Sequence, residues 1–202
     1  MLIILEKNGK FWYNIYMDKI RQDIIKCKLC GDLPKLVDNN IQIGTTRFVI
    51  IGESPAKDGW IQSRKAFYNT AGKLQASGRV LEKLLKGIGL TIEDIYFTEC
   101  CKCIIEDRKI LPKCSSNCLP ILSKQLKDLP CDIVVTMGLA PTQVLLGYKV
   151  NKFADVVGKV FNIELGGKKY SLLPIYHPSP LNPKGYKNNV PIFEKLGEIT
   201  KE

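Results

Sequence analysis

Eight cysteines stand at positions 27, 30, 100, 101, 103, 114, 118 and 131 of a 202-residue chain. Cys27 and Cys30 make a C-x-x-C pair behind the helical pattern MDKIRQDIIK, a spacing that lets one turn of chain offer two thiolates to one metal centre. CCKC (100–103) and CSSNC (114–118) are the sources for the remaining ligands. All-thiolate ligation serves either structural zinc or an iron-sulfur cluster, and the spacing does not choose between them. Any one of these cysteines taken alone reads as a small buried hydrophobe. Two further residues carry acid–base chemistry. His177, the one histidine of the chain, opens HPSPLNP, where three prolines in seven residues stiffen a loop. Glu53, in GESPA, follows an apolar run and Gly52. A lone histidine is usually structural or solvent-facing, and a lone loop carboxylate is usually a surface or helix-start charge. Their placement just beyond strands makes them candidates.

The elements that must hold these residues are legible in the apolar pattern. RFVIIG (47–52), DIYFTE (94–99) and DIVVTMG (132–138) are short continuous apolar runs, as in strands buried on both faces. Between them AGKLQASGRVLEKLLKGIG sets Leu74, Val80, Leu81, Leu84 and Leu85 in helical period, and CLPILSKQLKDL predicts a helix from Cys118 to Leu129. A short helix in LAPTQVLLG follows, then a hairpin turning at Gly166-Gly167, then a last helix from about 188 to 198. Strands alternating with helices predict an α/β fold, a sheet covered on both sides in three layers. Ligands of such sheets bind beyond the carboxyl ends of the strands, where GESPAKDGW and HPSPLNPKGY fall.

No repeat, low-complexity tract or linker divides the chain, which reads as one domain over residues 1–202 with no role assigned to residues 1–17. Thirty Lys and Arg against twenty Asp and Glu give a net charge of +10, which points to a polyanionic partner, nucleic acid ahead of membrane. MLIILEKNGKFWYNIYMDK does not read as a secretory leader, and no apolar run is long enough to span a bilayer. A cytoplasmic protein is therefore expected, and in that compartment C-x-x-C signals metal or redox chemistry rather than a structural disulfide.

Taken together these stretches resemble the uracil-DNA glycosylase superfamily, and most closely its iron-sulfur branch, family four. Cys27 and Cys30 match that family's first cysteine pair, GESPA its first loop, and AFYNTAGKL its phenylalanine segment through Phe67, Ala71 and Gly72. Lys102-Cys103 within TECCKC matches K-C, CLPILSKQL the helix opened by the fourth cysteine, and HPSPL the final loop. The resemblance implies a three-layer α/β/α sandwich around a central, mainly parallel four-stranded sheet. It implies a monomeric repair enzyme that flips a deaminated base, uracil first, out of DNA and hydrolyses its N-glycosidic bond. By the same resemblance Glu53 and His177 are catalytic, and Gly52, Ser54, Phe67 and Glu99 bind the base. Pro178, Ser179, Leu181 and Lys184 then contact DNA, with Leu181 filling the gap left by the flipped nucleotide and Lys184, Tyr186 and Lys187 at phosphates. Cys27, Cys30, Cys103 and Cys118 would hold a [4Fe-4S] cluster, with structural zinc the alternative and Cys101 or Cys114 the substitutes for an assigned ligand.

Two positions depart from the family. Glu99 stands where the family has an asparagine, whose amide accepts from uracil N3–H and donates to O4; an ionised carboxylate can only accept. Either Glu99 is held protonated, or the pocket prefers a base edge richer in donors, or a residue such as Asn69 reads O4. Ala56 stands where the commonest uracil enzymes place a tyrosine that excludes the thymine methyl. Alternative readings are therefore a glycosylase for thymine in a G·T mismatch or for a deaminated purine, or a catalytically silent module that binds damaged DNA.

Overall fold

A computed structural model describes residues 18–38, 40–56 and 59–200; residues 1–17 lie outside the described residues. The sheet is built from β1 (Ile41–Gln42), β2 (Phe48–Gly52), β3 (Tyr96–Glu99), β4 (Ile133–Met137), β5 (Phe161–Leu165) and β6 (Lys168–Ile175). Their spatial order is β1-β3-β2-β4-β6-β5. The four central strands β3, β2, β4 and β6 run parallel, as expected, while β1 and β5 add antiparallel edges and make the sheet mixed. β1 escaped the apolar pattern because only two residues pair. The β5–β6 hairpin turns at Gly166 (φ 62°) and Gly167 (φ 78°), a pair of left-handed positions that favours glycine at both.

Alternation along the buried strands feeds two cores. Phe48, Ile50, Phe97, Val135 and Leu173 point to one face, where α3 (Ala76–Lys86) contributes Leu81, Leu84 and Leu85, and α7 (Val190–Ile199) contributes Phe193 and Leu196. Val49, Ile51, Val134 and Leu172 point to the other, against Leu122 and Leu126 of α4 (Leu111–Lys127) and Leu145 of α5 (Leu139–Leu146). Helices thus cover both faces, as the period-2 pleat demands.

Helix α4 begins seven residues before the predicted start at Cys118. Pro120 inside it suggests a helix start in the sequence, yet tertiary packing keeps the preceding turns helical. Leu111, Cys114, Ser115, Cys118 and Leu122 form one buried stripe at helical spacing. The predicted last helix is α7, within a residue or two of its expected bounds, and a short helix α6 (Lys184–Lys187) that was not predicted precedes it. Helix α1, over residues 18–26, packs Ile20 and Ile24 on Ile121 of α4, which brings the C-x-x-C pair beside α4. No helix among the described residues is long and apolar enough to cross a membrane.

Candidate active site

Parallel pairing sets Gly52, the last residue of β2, in register with Glu99, the last of β3. Beyond these ends lies a cavity of about 240 Å³, and Met137 at the end of β4 also faces it. Glu53 and Ser54 continue from β2 along its wall, and His177, two residues past β6, closes the opposite rim. Phe67 and Phe97 supply aromatic wall, their ring centroids 4.3 Å apart, with Trp60 of the short helix α2 (Trp60–Ser63) 5.3 Å from Phe97. Phe67 is held at φ 66°, a conformation costly for a bulky residue and one that clusters at ligand sites. Its carbonyl accepts the Gln75 N–H at 2.7 Å, which fixes the turn.

The Glu53 carboxylate is gripped by Arg108, whose two terminal nitrogens reach the two carboxylate oxygens, the second pair at 2.8 Å. Arg108 escaped the sequence reading, since EDRK reads as ordinary surface charge. His177 stands exposed at the cavity rim, yet the protein packed around its ring displaces enough water to lower its pKa, Glu53 opposing the shift and the Arg108 cation adding to it. The imidazole is therefore neutral at pH 7, and one ring nitrogen remains a donor.

His177 owes its position to Asn189, which is fully buried. The Asn189 amide accepts from Tyr176 N–H at 3.0 Å and donates to the carbonyls of Tyr176 at 2.7 Å and Gly185 at 3.0 Å. Asn189→Ala leaves these buried backbone groups unpaired. It is expected to cost about 2–4 kcal/mol of stability by denaturant titration and to slow the reaction through a displaced His177 loop.

Glu99 floors the cavity. Its Oε2 is buried with no hydrogen-bond partner among the described residues. Burial raises its carboxyl to about 8, Lys102 opposing and Glu53 adding to the shift. Lys102, itself fully buried, donates from Nζ to Thr98 Oγ1 at 2.6 Å and to the Glu99 main-chain oxygen at 2.5 Å. Asn69 does not enter the cavity lining, and its Oδ1 accepts from Ala71 and Lys73 N–H at 3.1 and 2.9 Å within its own loop. That placement argues against Asn69 as the reader of a base.

On the far side of β3 five cysteines gather. Residues 34–36 pair with 102–104, Leu36 N–H donating to Lys102 O at 2.7 Å and Ile104 N–H to Pro34 O at 2.8 Å, which draws the C-x-x-C segment toward Cys103. Cys101, Cys103, Cys114 and Cys118 are buried together with Cys30 against them, while Cys27 is half-buried at the end of the 18–26 helix. The Cys101 thiol hydrogen-bonds with Cys103 and Cys118, and Cys30 with Cys103 and Cys114. Those bonds from Cys101 depress the thiols of Cys103 and Cys118, the latter to about 6. Burial pushes Cys100, Cys114 and Cys131 up to about 12. Lys102 N–H reaches Cys118 Sγ at 3.3 Å, and Asn117 Nδ2 reaches Cys30 Sγ at 3.5 Å. Among the described residues no group of three or more His, Cys, Asp or Glu is set around a single metal-ion position. Thiols from three segments, with N–H donors aimed at sulfur and two sites favouring thiolate, form a donor set that fits a thiolate-bound cluster.

The remaining predicted contacts lie on the His177 loop. Leu181 is 93% exposed, a large apolar side chain left in water at the tip. Pro178 is buried and Ser179 half-buried, its Oγ accepting Leu181 N–H at 3.3 Å. Lys184 lies 5.6 Å from the Tyr176 ring and Lys83 5.3 Å from the Tyr186 ring, a basic and aromatic band beside the loop.

The model of the Uracil DNA glycosylase superfamily matches residues 39–197. The chain is 30% identical over 192 residues to a type-4 uracil-DNA glycosylase of Archaeoglobus fulgidus, covering 91% of this chain and 92% of that one. It is 29% identical over 175 residues to the type-4 uracil-DNA glycosylase of Saccharolobus solfataricus, covering 81% and 76%. Among solved structures it resembles SMUG2 of Pedobacter heparinus, with a TM-score of 0.51, 16% identity, and coverage of 92% and 97%. That last likeness bears on the fold.

Proposed function

Because the chain belongs to the Uracil DNA glycosylase superfamily, we propose that it excises uracil from DNA by hydrolysing the N-glycosidic bond, leaving an abasic site. One observation carries this reading: Glu53 and His177, from the segments that follow β2 and β6, line one cavity with an aromatic wall and a polar floor. Breaking the bond leaves positive charge on the sugar and negative charge on the departing base, so a site must stabilise both. The Glu53 carboxylate supports the cationic sugar and orients the attacking water, and Arg108 holds that carboxylate in the free protein. His177, a neutral donor, places its N–H on the oxygen of the leaving base, with backbone amides of the Gly52–Ser54 turn adding to it. Phe67 stacks on the base, a grip that any base face satisfies.

The base must first leave the helix. Leu181, exposed at the tip of a proline-stiffened loop, fits the space vacated in the stack, and Lys184 and its neighbours meet phosphates. Cys27, Cys30, Cys103 and Cys118 would hold a [4Fe-4S] cluster, which when bound supplies a covalent brace between the 18–26 helix, the segment after β3 and α4. The depressed thiols of Cys103 and Cys118 support their part in that set. In this reading the enzyme works as a cytoplasmic monomer.

Incubation with an oligonucleotide carrying one uracil, followed by alkali, is expected to break the strand at that site. No break at uracil, hypoxanthine or a G·T mismatch would overturn the reading and leave a damage-binding module. Leu181→Ala is expected to slow base release from duplex about tenfold, on the scale of the unstacking work a wedge offsets, and to slow single strands little. Equal losses on both would remove the wedge role.

A further inference from the structure

The floor of the pocket carries a polar group that has no partner among the described residues. Glu99 ends β3 beside Gly52, and its carboxyl lies flat on the Gly52 backbone: a methyl added at Gly52 would stand 2.2 Å from Oε2 and 2.8 Å from Cδ. Glycine there is what makes room for the carboxyl. Lys102, the cation nearest in sequence, spends its ammonium on Thr98 Oγ1 and the Glu99 main chain. A buried carboxyl held only for structure would be paired, since an unsatisfied polar group is costly. This one has an Oε2 with no partner among the described residues and lines a cavity.

Resting on the reading that the cavity holds an extruded base, we propose that Glu99 recognises that base as an uncharged carboxylic acid, its carbonyl accepting a ring N–H and its hydroxyl donating to the adjacent ring carbonyl. A carboxylic acid offers one acceptor beside one donor, the same pair that a side-chain amide offers. The complementary edge is a lactam, the N3–H and O4 of uracil or the N1–H and O6 of hypoxanthine. Deamination of cytosine or adenine creates this edge, so the substrate class is the deaminated lactam base. Once ionised, Glu99 presents two acceptors, and one of them faces the base carbonyl unpaired.

Recognition is therefore tied to a proton. Among the described residues, the groups facing the Glu99 carboxyl are Lys102 and Cys100 from its own strand end, Glu53 from the end of β2 with Arg108 paired to it, and His177 across the cavity. Burial holds the Glu99 proton to about pH 8, against the Lys102 charge and with that of Glu53. Because the folded carboxyl keeps its proton above the unfolded value of 4.5, the folded state binds more protons between 4.5 and about 8. That contribution to stability is complete below 4.5 and is lost as pH rises through this window.

The test is single-turnover release from a uracil oligonucleotide between pH 6.5 and 9.5. Wild-type activity is expected to fall about tenfold per pH unit above the Glu99 titration. Glu99→Gln, which cannot ionise, should lose that alkaline fall and outrun the wild type several-fold at pH 9. It should also flatten the decline in thermal midpoint from pH 5 to pH 8. Glu99→Ala should be slower at every pH by about tenfold or more. A Glu99→Gln profile that tracks an active wild type throughout, or a loss at pH 7 as large as that of Glu99→Ala, overturns the inference alone. A wild type that releases no base at any pH overturns the glycosylase reading and this inference with it.

Discussion

Glu53→Gln lowers the single-turnover rate of uracil release by about 10²–10⁴-fold, the range that a positioned acid–base group contributes. Glutamine keeps the size of the side chain and one acceptor oxygen, so the cavity wall stays in place. What it removes is the negative charge that faces the cationic sugar and draws a proton from water. The partner cation Arg108 is largely exposed, and a pair of that kind contributes little to folding. The thermal midpoint should therefore move by only about 1 °C while the rate collapses, and this separation marks a chemical role. His177→Ala should cost about 10²–10³-fold, as removal of one donor to a developing anion does. Chemical quench on a 5′-labelled oligonucleotide measures both, and wild-type rates in both variants would move the reaction to another site.

The second large effect concerns folding. Cys118→Ala is expected to abolish bound iron and acid-labile sulfide and to cost about 4–5 kcal/mol or more, the scale of losing a structural metal. Cys118 lies on the buried stripe of α4, receives the Lys102 N–H at sulfur and is the thiol driven furthest toward thiolate. Cys131→Ala serves as the contrast: its thiol is buried in the α4-side core and pushed up to about 12, so it should keep full iron at a cost of about 1 kcal/mol for the small cavity. The pair separates ligation from packing. Metal analysis also separates iron from zinc. Comparing Cys27→Ala with Cys114→Ala fixes the fourth ligand: iron kept in the first and lost in the second would replace Cys27 by Cys114. Loss of the visible cluster absorbance and the thermal midpoint provide readouts independent of activity.

Much of this protein is local enough to read along the chain. Runs such as RFVIIG and DIVVTMG need only their own residues to show strands buried on both faces, and Gly166-Gly167 needs only its left-handed preference to show a turn. The order of the cysteine, GESPA and HPSPL motifs likewise survives without coordinates, because spacing along the chain is all that carries it. The start of α4 was hidden by Pro120, whose helix-breaking tendency is overruled by the buried stripe on either side of it. Arg108 belongs to the site only because the segment after Cys103 folds back 55 residues in sequence from Glu53. Glu99 shows the limit most sharply. Its identity was evident from the sequence, but its charge state was not. Whether a carboxyl is an anion or an acid depends on how much water and how many donors surround it, and that is set by β2 pairing with β3, by Gly52 lying beneath it and by Lys102 turning its ammonium elsewhere.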